Sequence, residues 1–306
     1  MLVFATSDKG GTGRSVTSAN IAYRAALQGA DACYLDFDFG SPTAGAIFQI
    51  HGLARGAQAG GLHSCLHETG ATPLEVDVWN DSDREEIREA RPRSAGELVL
   101  FPGDEGGGEF AATPAAIERC VRLLARLDEE FDLCLVDLSA GRSFATDIVL
   151  EATRAPELGS AIVRWLVFHR WTRQHIIAAN GLVYGVGGIL DNGVALGHEA
   201  KKLQNGLRFV RTAYVDPDSP SVRGLQPPQI AWLHNTDRQL ADLASKQRLG
   251  QTARLGTVPL DPVLQWREQL ILDEDVANRK VANLETTQAF ASLAKKLLDT
   301  ASWEGL

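Results

Sequence analysis

A chain of 306 residues with a formal net charge of −9 is large enough for one large α/β domain or two small ones. Its acidity argues against a protein that coats nucleic acid over its whole surface. Hydrophobic residues at 44% and charged residues at 23% are those of a globular chain with a substantial core, and no apolar run reaches the ~18 residues a membrane span needs.

The first residues, MLVFATS, read as a strand entering a loop, without a charged leader or cleavage site. A cytoplasmic location is expected. LVFAT (2–6) stops at a glycine loop. Val16, Ala19, Tyr23, Ala26 and Leu27 then recur at helical spacing, and Gly29 supplies a stop. ACYLDFD (32–38) and ELVLFPG (97–103) read as strands, the second closed by Pro102 and Gly103. Ile117, Val121, Leu124 and Leu127 mark one helix face before the strand FDLCLVD (131–137). Later strands are SAIVRWLVFH (160–169), GLRFVRTAYV (206–215) and TARLGTVPL (252–260). The clearest late helices are QIAWLHNTDRQLADLASKQ (229–247) and LETTQAFASLAKKLLDTA (284–301).

Apolar strands alternating with longer helices predict βαβ units: a three-layer α/β fold, with a mostly parallel twisted sheet and helices on both faces. No composition break divides the chain, so 1–306 reads as a single domain. Residues 51–96 are less regular and carry the acidic run DVWNDSDREEIREA, expected as a surface insertion with a short charged helix. VYGVGGILDNG (183–193) reads as a flexible glycine-rich loop. The cysteines form no CxxC pair, so neither a disulfide frame nor a zinc knuckle is indicated. HSCLH puts His63, Cys65 and His67 at alternate positions, as on one strand face; a polar loop is the preferred reading over a metal site.

A glycine loop between a strand and a helix is an anion site, because successive backbone N–H groups point inward and the helix N-terminus adds partial positive charge. Gly10, Gly11 and Gly13 permit that geometry, and Ser15 stands where a hydroxyl usually holds Mg²⁺. Asp38 and Asp137 each follow an apolar strand, on the edge where a parallel sheet binds its ligand.

With these motifs in order, the chain resembles the deviant Walker-A P-loop ATPases of the ParA/MinD (ArsA-like) family. Their loop reads KGGxGKT/S, and this chain has Lys9-Gly10-Gly11-Thr12-Gly13-Arg14-Ser15. The resemblance implies ATP and Mg²⁺ as cofactors, an ATP-dependent homodimer, and Lys9 reaching the partner subunit's phosphates. YLDFDFG resembles switch I, which implies Asp36 near the magnesium and Asp38 orienting the attacking water. LCLVDLSAG resembles the Walker-B and switch II segment, with Asp137 on Mg²⁺ through water and the Gly141 N–H sensing the γ-phosphate. GTVPLDP resembles the late strand of such chains, placing Pro259, Leu260 and Asp261 beside the adenine.

Two residues depart from the pattern. Arg14 replaces the Walker lysine, keeping the charge but not the compact ammonium. Val16 replaces a hydroxyl residue, removing an α-phosphate contact worth about 1 kcal/mol. A slow Mg-dependent ATPase acting as a dimerisation switch in partitioning, positioning or regulation is expected. A hydrolysis-poor assembly module is the alternative, and a ligase of the dethiobiotin synthetase type, which usually has threonine in place of Lys9, is the third reading. No cysteine follows DLSAG as an iron–sulfur carrier needs.

A protein partner is expected. Arg238, Lys246, Arg248 and Arg254 offer a basic patch for nonspecific DNA, although a solvated helix face explains them more simply. Phe290, Leu293, Leu297 and Leu298 form a stripe better explained by packing of the final helix than by a membrane anchor.

Overall fold

The computed structural model describes residues 1–67, 70–89 and 91–304. Its strands are β1 (Leu2–Thr6), β2 (Ala32–Phe37), β3 (Val76–Asp77), β4 (Leu98–Phe101), β5 (Leu133–Leu138), β6 (Val163–Arg170), β7 (Leu207–Tyr214) and β8 (Arg254–Pro259). They form one sheet in the order β3-β4-β2-β5-β1-β6-β7-β8. Every pairing is parallel except β3 with β4. This is the expected α/β arrangement.

The helices used below are α1 (Arg14–Leu27), α2 (Leu62–His67), α3 (Pro114–Glu130), α4 (Phe144–Ala152), α5 (Arg173–Tyr184), α6 (Ile189–Ala195), α7 (Pro227–Lys246) and α8 (Leu284–Leu298). Central strands β1, β2 and β5 are buried along their whole length, so they read as continuous apolar runs rather than alternating ones. On one face Val3, Tyr34 and Leu166 pack with Tyr23 of α1 and with Phe290, Leu293 and Leu297 of α8. On the other, Phe4, Leu35 and Val136 pack with Cys120 and Leu124 of α3, Ile148 of α4 and Ile176 of α5. Each fully buried Phe or Leu contributes about 1.5–3 kcal/mol. The stripe of α8 is therefore core, and among the described residues no helix is long and apolar enough to cross a membrane.

Three local readings change. HSCLH is a helix, α2, in which His63 and His67 stack one turn apart with ring centroids 5.7 Å apart, and Phe110 meets both edge-on. Spacing of i and i+4 serves a helix as well as a strand, and burial of Leu62 and Leu66 decides it. Of VYGVGGILDNG, only 185–188 lie between helices; α6 begins at Ile189. Ile189 is buried, and a Cβ on Gly193 would meet Leu203 at 2.4 Å, so this glycine serves close packing, not a loop. Segment 51–96 does carry a short charged helix, Glu85–Glu89. It also buries Leu62, Leu66, Val78, Trp79 and Ile87 and adds β3 to the sheet edge. Its residues 68, 69 and 90 lie outside the described residues.

At the end of the described chain Trp303 is buried beneath two arginines of the sheet, Arg164 at 4.6 Å and Arg208 at 5.0 Å from its ring. All four cysteines are buried thiols.

Candidate functional site

The glycine loop leaves β1 at the C-terminal edge of the sheet and ends at α1. Gly11 and Gly13 have φ of 71° and 73°, a left-handed conformation that costs a side-chain-bearing residue about 1–2 kcal/mol. Gly13 is the N-cap, and its carbonyl accepts the Thr17 N–H at 2.9 Å. The loop is braced from two sides. Gly141 N–H donates to the Ser7 carbonyl at 2.7 Å, and Thr212 Oγ1 of β7 donates to the Thr12 carbonyl.

A cavity of about 420 Å³ opens above it. Gly10, Gly11, Thr12, Gly13, Arg14, Ser15, Val16, Asp38, Pro259 and Asp261 all line it, so ten of the expected site residues converge. Lys9, Asp36, Asp137, Gly141 and Leu260 do not line it. Lys9 is exposed at the rim. Leu260 donates its N–H to the Tyr214 carbonyl at 2.8 Å. Asp261 lines the wall, but its carboxylate accepts from Val263 N–H (3.2 Å), Asn283 N–H (2.8 Å) and Thr286 Oγ1 (2.7 Å), tying β8 to the start of α8.

Register explains the acidic floor. Asp36 and Asp137 are paired positions on neighbouring strands β2 and β5. Asp36 accepts N–H bonds from Asp38 (3.2 Å), Thr43 (3.0 Å) and Ala44 (3.0 Å). Burial pushes its pKa up to about 7, with Asp137 adding to the rise and the Ala44 N–H opposing it.

Arg14 is the unusual element. Its side chain is 7% exposed. Nε donates to Asp137 Oδ1 at 2.5 Å, and Nη2 donates to Asp38 Oδ2 at 3.0 Å and to Ser15 Oγ at 3.3 Å. Burial alone would lower its pKa, but Asp137 and Asp38 outweigh burial and raise it. The guanidinium thus joins a carboxylate near the end of β5, Asp137, to one just beyond β2, Asp38.

Sequence reasoning missed Thr17, Thr43, Thr212 and Glu268 in the lining. Thr212 carried a signal, a hydroxyl at the ligand end of a predicted strand. Arg170, the last residue of β6, also lines the cavity. Trp171 does not; its Nε1 donates to Asp237 of α7 at 2.7 Å, and the Arg211 guanidinium lies 3.2 Å from its ring centre. Of the basic patch, Arg238 and Lys246 are exposed on α7, Arg248 lies over the Tyr184 ring at 5.3 Å, and Arg254 is half-buried at the start of β8.

No family model and no curated protein matches the chain. Solved structures do. The chain is similar to the MinC:MinD cell division protein complex of Aquifex aeolicus, at 17% identity over 97% of this chain and 95% of that one, with a TM-score of 0.58. It is similar to a Borrelia burgdorferi B31 protein described as a plasmid partition protein and bound to AMPPNP, at 12% identity over 96% of each chain, TM-score 0.59. A third is apo McdA of Cyanthece, at 16% identity over 97% of this chain and 98% of that one, TM-score 0.55. Identities this low show the fold, which is that of MinD/ParA P-loop NTPases.

Proposed function

We propose that this chain is a ParA/MinD-like ATP-binding protein that works as a nucleotide-gated dimerisation module with little or no hydrolysis, within a single cytoplasmic P-loop domain. The observation that carries the reading is the cavity, lined by a left-handed glycine loop at the start of a 14-residue helix. A phosphate is held there by backbone N–H groups and the helix end. Ile47, Pro259 and Leu264 line the same cavity and offer apolar surface for the base. Lys9, exposed at the rim, is free to complete a partner subunit's site.

Arg14 favours the hydrolysis-poor reading over the slow Mg-dependent ATPase. Asp38, the expected water-orienting residue, is engaged by the Arg14 guanidinium. Nor does a divalent cation fit beside it. Ser15 and Asp137 also receive Arg14, and both Asp36 oxygens accept backbone N–H groups.

The structural neighbours, by name, serve cell division and plasmid partition. A protein partner or DNA is accordingly the surface acted on, through the exposed α7 residues Arg238 and Lys246 if it is DNA. Calorimetric titration with ATP, followed by light scattering of the loaded protein, tests the proposal. Nucleotide binding with a doubling of mass supports it; a chain that binds neither ATP nor ADP sinks it.

A further inference from the structure

In P-loop NTPases the divalent cation is held by the loop hydroxyl and a strand-end aspartate and bridges the β- and γ-phosphates. Here the corresponding protein atoms, Ser15 Oγ and Asp137 Oδ1, converge on a guanidinium, together with Asp38 Oδ2. The contact with Asp137 is charge-assisted and almost fully buried, with side-chain exposures of 7% and 1%. Such a pair is held firmly, because freeing either member would strand a charge in a buried place. Arginine does not lose its proton under any ordinary condition, so the positive charge is permanent.

The geometry points to a new assignment: Arg14 stands in for the divalent cation, and this loop binds uncomplexed nucleoside polyphosphate. This assignment rests on the nucleotide-binding reading above and narrows it to a ligand species. A second feature supports it. Nη1 of Arg14 has no hydrogen-bond partner among the described residues, while the side chain lines the cavity. Two faces of the guanidinium fork are spent on the acidic floor, and one nitrogen is left to meet a phosphate oxygen. Nη1 is not one of the buried polar atoms left without a partner, so it is open to the cavity, where a ligand oxygen or solvent accepts from it.

The charge balance is consistent. A guanidinium brings one positive charge where Mg²⁺ brings two. It already faces the carboxylates of Asp38 and Asp137. The remaining phosphate charge falls to the loop N–H groups and the N-terminus of α1, which line the cavity. An Arg at this place is thus an internal counterion for Asp38 and Asp137 and a phosphate donor at once. A lysine has three donors but only on one rotating nitrogen; it lacks the planar fork by which Arg14 reaches Asp137 through Nε and Asp38 through Nη2 while Nη1 stays apart.

The test compares affinities for ATP, by calorimetry on the full chain, in EDTA and in excess Mg²⁺. The wild-type Kd is expected to be tighter in EDTA and at least severalfold weaker in excess Mg²⁺, which draws ATP into its magnesium complex, whereas Arg14→Lys, which frees one carboxylate, binds at least about tenfold more tightly with Mg²⁺ than without. The wild-type comparison needs no variant, so a poorly folding Arg14→Lys does not blunt it. Wild-type binding that is lost in EDTA and restored by Mg²⁺ overturns the assignment while leaving the nucleotide reading intact. Absence of ATP binding in both buffers overturns both.

Discussion

Thr212 Oγ1 of β7 donates to the carbonyl of Thr12 at 2.5 Å, joining the glycine loop to a strand 200 residues away in the chain. Both residues are buried, and Thr212 also reaches the His169 carbonyl at 3.3 Å. Thr212→Val keeps the shape and removes the donor. It is expected to cost about 1 kcal/mol of stability and to weaken ATP binding severalfold, with Thr212→Ser close to wild type. Denaturant melts and calorimetry on the same preparations check this; a Val variant that binds normally would show that the loop keeps its shape unaided.

Lys9 and Arg14 carry the loop's two cations in opposite directions, one exposed and one buried. Lys9→Ala therefore changes stability by no more than about 0.5 kcal/mol, as surface substitutions do. Its nucleotide-dependent dimerisation is expected to fail. Light scattering with and without ATP reads this directly, and unchanged dimerisation would remove Lys9 from the interface.

His169, in β6, is buried, and that burial lowers its pKa to about 4. The unfolded chain then binds more protons than the folded one between about pH 6.5 and 4, so stability rises with pH across this window and is lost on acidification. At most about 3 kcal/mol is at stake. Melts of wild type and His169→Gln at pH 7.5, 5.5 and 4.5 should show the variant losing less on acidification. Parallel losses would assign the pH dependence elsewhere.

Asp261 holds together the turn after β8 and the start of α8. Asp261→Ala leaves the Asn283 N–H and Thr286 hydroxyl without their acceptor, an expected loss of about 2–3 kcal/mol. If Asp261 serves structure first, the ATP Kd measured well below the melting temperature changes much less than the stability does.

Much of this architecture is legible in the residues. The apolar runs that became β1, β2, β5 and β6 are buried strands in an alternating chain, and the loop, Asp38 and Asp137 fall on one edge because parallel strands put their C-terminal ends there. The oddity of Arg14 is visible too, but not its direction. That depends on Asp36 and Asp137 being paired across strands β2 and β5, a long-range register that local pattern does not carry. Local pattern also misjudged α2 and α6. In both, tertiary packing decided between two conformations that short-range spacing allows equally.

The triangle of Arg14, Asp38 and Asp137 has a consequence for signalling. A site that hydrolyses its nucleotide measures elapsed time, since the bound state ends at a rate set by chemistry. On the proposed reading, with Asp38 held by Arg14, the bound state would end by dissociation, and occupancy would follow the surrounding nucleotide level. Such a module would be a gauge of energy charge, read out by whatever assembles on it.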